Sequence, residues 1–183
     1  MRVITGTAKG RRLETLSGEE VRPTTDKIKE AVFSIIQFHI QGRRFLDLFA
    51  GSGQMGIEAL SRGAAEAVFV DNRKQAVEIV RKNLNTTKLA DNAKVLNTDS
   101  IGFLSMKSGE FDIAFLDPPY NKGILQKALE LLPQVMRKSG VILCENPVDE
   151  QLPEQLGDFI LDRQYRYGKI KITTYKHKEF IEV

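Results

Sequence analysis

The sequence predicts an α/β protein built around a mostly parallel β-sheet, and three features predict it. Short, continuously apolar runs recur between residues 44 and 145, most of them separated by stretches of helical spacing. Strands of that kind are buried on both faces, which calls for helices above and below a parallel sheet. The segment 158–176 breaks the pattern: two alternating runs meet at Tyr167-Gly168 with no helix between them, so an antiparallel hairpin is expected at the sheet edge. With 183 residues, 42% of them apolar, the chain reads as one domain over 1–183, in which 1–40 forms an N-terminal extension.

The elements follow in order. Val3 to Leu16 reads as a β-hairpin, because glycines bracket Gly6-Thr7-Ala8-Lys9-Gly10 between two short alternating runs. Arg22-Pro23-Thr24-Thr25-Asp26 is a turn into a helix marked by Ile28, Ala31, Val32, Ile35 and Ile36, with Thr24, Thr25 and Asp26 either as its caps or as part of a loop folded over the active site. The first core strand is 44–49. A helix from Gly56 to Arg62 ends at Gly63, a suitable C-cap. The second strand is 65–71, and the helix after it carries Val77, Val80 and Leu84. Strands at 93–99 and 111–117 come next, then a helix through Ile124, Leu125, Ala128, Leu129, Leu132 and Met136, and a fifth strand at 140–145.

Composition excludes several classes of function. No stretch is long and apolar enough to span a bilayer, and the N-terminus lacks an apolar signal core, so no membrane partner and a cytoplasmic location are expected. The single cysteine, Cys144, permits no internal disulfide and sits in an apolar run as a core residue. His39 and His177 are too far apart in the chain to suggest a metal site, and His39 reads as a helix-end residue outside the chemistry. The net charge of +3 permits a polyanionic partner. Its distribution is more telling: Arg2, Lys9, Arg11, Arg12, Arg22, Lys27, Lys29, Arg43 and Arg44 gather at one end, and Arg163, Arg166, Lys169, Lys171, Lys176 and Lys178 at the other.

The chemistry begins between the first strand and first helix, where Gly51, Gly53 and Gly56 fit G-x-G-x-x-G. Glycines there let the backbone turn tightly and approach a ligand. Asp71 ends the second strand, where a carboxylate can accept from two ribose hydroxyls, and Asp99 ends the third, within reach of an adenine amine. Asp47, just before the glycines, suits the cationic methionine moiety of S-adenosylmethionine and would repel a pyrophosphate, a preference that leaves NAD open. Phe49, Asn72 and Ser100, adjoining these residues, are assigned to the same cofactor site.

The fourth strand runs straight into Asp117-Pro118-Pro119-Tyr120. Two prolines fix φ and donate no backbone hydrogen bond. The Asp117 carboxylate and Pro118 carbonyl then form a rigid pair of acceptors for the two N–H groups of a planar exocyclic amine. Accepting both protons favours a pyramidal nitrogen with its lone pair aimed at the methyl group. The Tyr120 ring offers a stacking platform for a flipped-out base, worth about 1–3 kcal/mol.

These motifs resemble those of class I S-adenosylmethionine-dependent methyltransferases of the (D/N)-P-P-(Y/F) amino-methylating group. Within that group the chain closely resembles the bacterial 16S rRNA (guanine-N2)-methyltransferase D family. The resemblance rests on residues 4–13, 22–33, 47–64 and 115–120, of which the first two are the more specific. It implies a Rossmann-like, seven-stranded sheet with an antiparallel last strand. It also implies cofactor contacts at Asp47, Gly51, Gly53, Asp71 and Asp99, amine binding at Asp117 and Pro118, and stacking on Tyr120. The implied partner is 16S rRNA within a small-subunit particle, with no obligate protein partner.

Lys9, Arg11, Arg12 and Arg22 are candidate phosphate contacts, in a segment separate along the chain from the glycine loop. Asn121 and Lys122 either line the mouth of the site or begin the next helix. Competing functions fit less well. A DNA or other RNA amino methyltransferase acting on adenine N6 or cytosine N4 would share the corner, but such enzymes usually carry a target-reading module for which this chain has no room. A protein glutamine methyltransferase usually has Asn in place of Asp117. An NAD-dependent dehydrogenase gives Asp117-Pro118-Pro119-Tyr120 no role, and a non-catalytic RNA-binding assembly protein would leave both intact motifs unexplained.

Overall fold

In the computed structural model, which describes residues 1–17, 25–120 and 123–181, Thr25 opens the first helix. Its hydroxyl accepts the Ile28 N–H at 3.3 Å, capping α1 (Asp26–Ile35). Then follow β1 (Arg44–Asp47), α2 (Gln54–Ser61), β2 (Glu66–Asp71), α3 (Lys74–Thr87), β3 (Ala93–Asn97), α4 (Ser100–Ser105), β4 (Phe111–Leu116), α5 (Ile124–Leu131) and β5 (Met136–Pro147). The chain closes with β6 (Gln155–Leu156), β7 (Phe159–Tyr167) and β8 (Ile170–His177).

The strands form one sheet in the order β3-β2-β1-β4-β5-β8-β7-β6. Strands β1 to β5 pair in parallel, and β8 inserts antiparallel between β5 and β7. The expected seven strands with an antiparallel last one are present. The eighth, β6, is a two-residue pairing on β7 too short to leave a periodic signal.

Alternation along each strand feeds two cores. Phe45, Phe69, Phe115 and Leu143 face α1, α2 and α3, while Leu46, Val68, Val70, Ala114, Leu116 and Ile142 face α4 and α5. Burial on both faces is why these strands read as unbroken apolar runs. Cys144 belongs to the second core, and burial pushes its thiol pKa up.

Several boundaries differ from the expectation. β1, β3 and β4 stop earlier because their last expected residues turn into the ligand-facing loops. The helix through Ile124 ends at Leu131. A 3₁₀ turn containing Pro133 follows, and Met136 already begins β5. Helix α4 has too few residues for its period to show; Asp99 starts it by accepting the Gly102 N–H at 2.9 Å. The N-terminal hairpin is present in short form: around the bridge Arg2↔Arg12 the Val3 N–H donates to the Arg11 carbonyl, the Gly10 N–H to that of Val3 and the Leu13 N–H to that of Met1, at 2.9 Å each, and other backbone groups of the segment bind α2. The Ile4 and Thr5 N–H groups donate to Glu58 at 2.9 Å each, and those of Thr7 and Ala8 donate to Ser61. Lys29, expected in the basic surface, is fully buried: it donates to the Arg2 carbonyl at 2.7 Å and pairs with Glu58 at 3.7 Å. Lys171 is buried as well. Among the described residues no helix is long and apolar enough to cross a membrane.

Candidate active site

The C-terminal rim of the parallel strands carries one acid after another. Following the sheet from its β3 edge, these are Asp99, Asp71, Asp47, Asp117 and Glu145, and all five border one cavity of about 510 Å³. Strand parity explains part of this. Asp71, Asp47 and Glu145 lie two residues beyond Phe69, Phe45 and Leu143 on the same strands, so these three point to one face of the sheet, and Asp117 follows the last residue of β4. Apolar residues fix the register, and the first rim position beyond the core is free to be charged.

The glycine loop closes the middle of the cavity. Gly53, at φ 79°, sits at the N-cap of α2 in a conformation that a side chain disfavours. Gly56 lets α2 approach β2: a Cβ there would fall 2.3 Å from the Phe69 ring, so even a methyl overpacks the contact at a cost of about 1–3 kcal/mol. The helix begins two residues earlier than expected, at Gln54. The Gly56 N–H donates to the Asp47 carboxylate at 3.0 Å. The first turn of α2, where a pyrophosphate would be held, is therefore already occupied by a carboxylate of the chain itself. Burial pushes the Asp47 pKa up to about 7; the Gly56 hydrogen bond opposes that shift and the nearby Asp71 charge adds to it.

Asp71 is 7% exposed and already engaged. It accepts the Gly51 N–H at 2.9 Å, the Arg73 N–H at 2.9 Å and two guanidinium contacts from Arg73 at 3.0 Å each. Arg73 was not anticipated, although a cation two residues beyond a strand-end acid signals such a pair. Asn72, Ser100 and Phe49 also border the cavity; Gly53 does not, and acts through loop conformation.

At the other side, Asp117 is half-buried, Pro118 buried, Pro119 exposed and Tyr120 half-buried, and all four border the cavity. The Tyr120 hydroxyl donates to Glu145 at 2.8 Å. Glu145 was missed in the sequence, although it carries the signal that identified Asp71 and Asp117, an acid closing an apolar strand. Asn83 was also missed. Buried at 1% exposure, its amide donates to the Glu14 and Ser52 carbonyls at 2.9 Å each and accepts the Glu14 N–H at 2.8 Å. The N-terminal segment is thereby tied to the glycine loop, from which sequence distance had separated it. Lys9, Arg11 and Arg12 are exposed; Arg22, Thr24, Asn121 and Lys122 lie outside the described residues.

Comparison with known proteins places this arrangement among relatives. The family described as conserved hypothetical protein 95 matches residues 1–176. The Bacillus subtilis protein YlbH is 41% identical over 97% of this chain and 100% of its own length. The ribosomal RNA small subunit methyltransferase D of Escherichia coli is 34% identical over 97% of this chain and 90% of its own length. The solved structure of Escherichia coli yhhF superposes with a TM-score of 0.88 at 33% identity, covering 97% of each chain.

Proposed function

The chain belongs to the ribosomal RNA small subunit methyltransferase D family, and we propose that it methylates the exocyclic N2 amine of one guanine in 16S rRNA, using S-adenosylmethionine. One observation carries the reading: the Asp117–Tyr120 corner and the glycine loop border the same cavity from adjacent strands, β4 and β1.

The residues present fit the cofactor. Five carboxylates face the cavity and one of them caps α2, which favours a cationic ligand over a phosphate-bearing one. When bound, S-adenosylmethionine supplies a methyl group made electrophilic by its sulfonium. Asp71 would hold the ribose hydroxyls, for which the Arg73 guanidinium must yield an oxygen. Asp99 and Ser100 would border the adenine, and Asp47 would face the cationic end. Asp117 and the Pro118 carbonyl would accept the two amine protons, turning the nitrogen lone pair toward the methyl donor, while the Tyr120 ring stacks on the base.

Incubation with labelled S-adenosylmethionine and unmodified small subunits, followed by mapping of the labelled nucleotide, tests the proposal. Label on one guanine N2 supports it, and transfer to adenine, cytosine or protein overturns it. A second expectation concerns pH. A carboxyl titrating near 7 must lose its proton to serve a cation, so affinity for the cofactor should rise by up to about tenfold per pH unit toward pH 7 and then level. Calorimetry should show proton release on binding below that point, and Asp47→Asn should abolish the pH dependence.

The exposed Lys9, Arg11 and Arg12 would grip RNA phosphates. Replacing all three by alanine should weaken subunit binding and lower the salt slope by about 2–3, since each phosphate contact releases just under one counterion. The methylated nucleotide should not change, because phosphate contacts position the enzyme without reading bases. Equal affinities and slopes across a salt series would remove this segment from the docking surface. Its link to Ser52 through Asn83 makes cofactor affinity a necessary control.

A further inference from the structure

Glu145 is a 5% exposed carboxylate bordering the reaction cavity, and amine positioning by Asp117 gives it no role. Its place is fixed by register. Leu116, the last residue of β4, pairs with Cys144 on β5, so Asp117 leaves β4 beside the point where Glu145 continues β5. Both border the same cavity. Glu145 also accepts from the Tyr120 hydroxyl at 2.8 Å, which sets its carboxylate at the end of the ring on which a base would stack.

We propose that Glu145 selects guanine, by accepting the N1–H beside the N2 amine held at Asp117. Three nucleobases carry an exocyclic amine. In adenine and cytosine the ring nitrogen beside that amine is an acceptor, which a carboxylate repels. In guanine the amine is flanked by N3, an acceptor, and by N1, which bears a hydrogen that a carboxylate on that side accepts. A carboxylate one strand beyond the amine site therefore rejects two amino bases and retains the third, and a buried acceptor left facing another acceptor makes the rejection strong. This deepens the proposed function and rests on its substrate reading.

The test uses small subunits reconstituted with either guanosine or 2-aminopurine riboside at the mapped nucleotide. 2-Aminopurine keeps the amine but has an unprotonated N1. The wild type should methylate guanine about 10–100-fold faster, the discrimination expected of one charged hydrogen bond. Glu145→Gln preserves shape and can still accept from Tyr120, but its amide can pair with either base, so the preference should shrink to less than about threefold. Tyr120→Phe keeps the ring and Glu145, so it should retain the wild-type preference at reduced rate. Equal rates of the wild type on both bases would overturn the assignment without any variant. It is also overturned if Glu145→Gln and Tyr120→Phe slow both bases alike with the preference unchanged, which would reduce Glu145 to an anchor for Tyr120. Absence of any methylated guanine with the wild type overturns the substrate reading itself, a result distinct from loss of discrimination.

Discussion

Replacing Asp117 by alanine should lower single-turnover methyl transfer by about 10²–10³, the effect of removing one preorganised acceptor at a reacting centre. Cofactor affinity should stay near the wild-type value, because the other carboxylates along the rim, Asp71 and Asp47, face the cofactor side of the cavity. The separation follows from topology. Asp117 follows β4, Asp47 ends β1 and Asp71 ends β2, so amine and nucleoside are served from different strands. Single-turnover rates with saturating subunits, paired with calorimetric titration of the cofactor, measure both quantities. A variant that keeps more than a tenth of the wild-type rate would remove Asp117 from the chemistry. One that loses cofactor affinity in parallel would place its role in binding.

The second large effect is on stability. Lys29→Met should destabilise the fold by about 3 kcal/mol, the lower end of the cost of stripping one partner from a buried ion pair. Both side chains are fully buried. Burial lowers the Lys29 pKa, and the Glu58 charge opposes that shift. Without Lys29, Glu58 keeps the Ile4 and Thr5 N–H groups and Arg62 at 2.9 Å, which is why the low end applies. The Arg2 carbonyl loses its donor as well. Denaturant unfolding measures the change, and a loss below about 1 kcal/mol would show that Arg62 alone satisfies Glu58. The same variant should loosen the N-terminal segment from α2 and so weaken subunit binding more than cofactor binding.

Lys29 also marks a limit of reading the chain alone. At helical spacing it falls beside Ile28 and Val32, on the buried side of α1, yet its charge placed it with the solvent-facing cations. A buried lysine leaves no local signal, because its partner Glu58 lies on another helix. Asn83 escaped notice for the same reason: its importance comes from bonds to Glu14 and Ser52, far from it along the chain.

What the sequence determined by itself was the layered α/β class, the five parallel strands, the terminal antiparallel hairpin and most of the rim chemistry. These are encoded locally. Strand burial writes itself as apolar runs, glycines mark the loop that backbone geometry requires, and acids close the strands where the apolar core ends. Only the tertiary structure decided strand order, and with it the sequence of acids from Asp99 through Asp117 to Glu145. It alone bound Tyr120 to Glu145 and fastened the N-terminal hairpin to Glu58 and Ser61 of α2. Each of these is a pairing between groups distant along the chain. Their partners are chosen by which strands and helices lie side by side, and no local pattern records that choice.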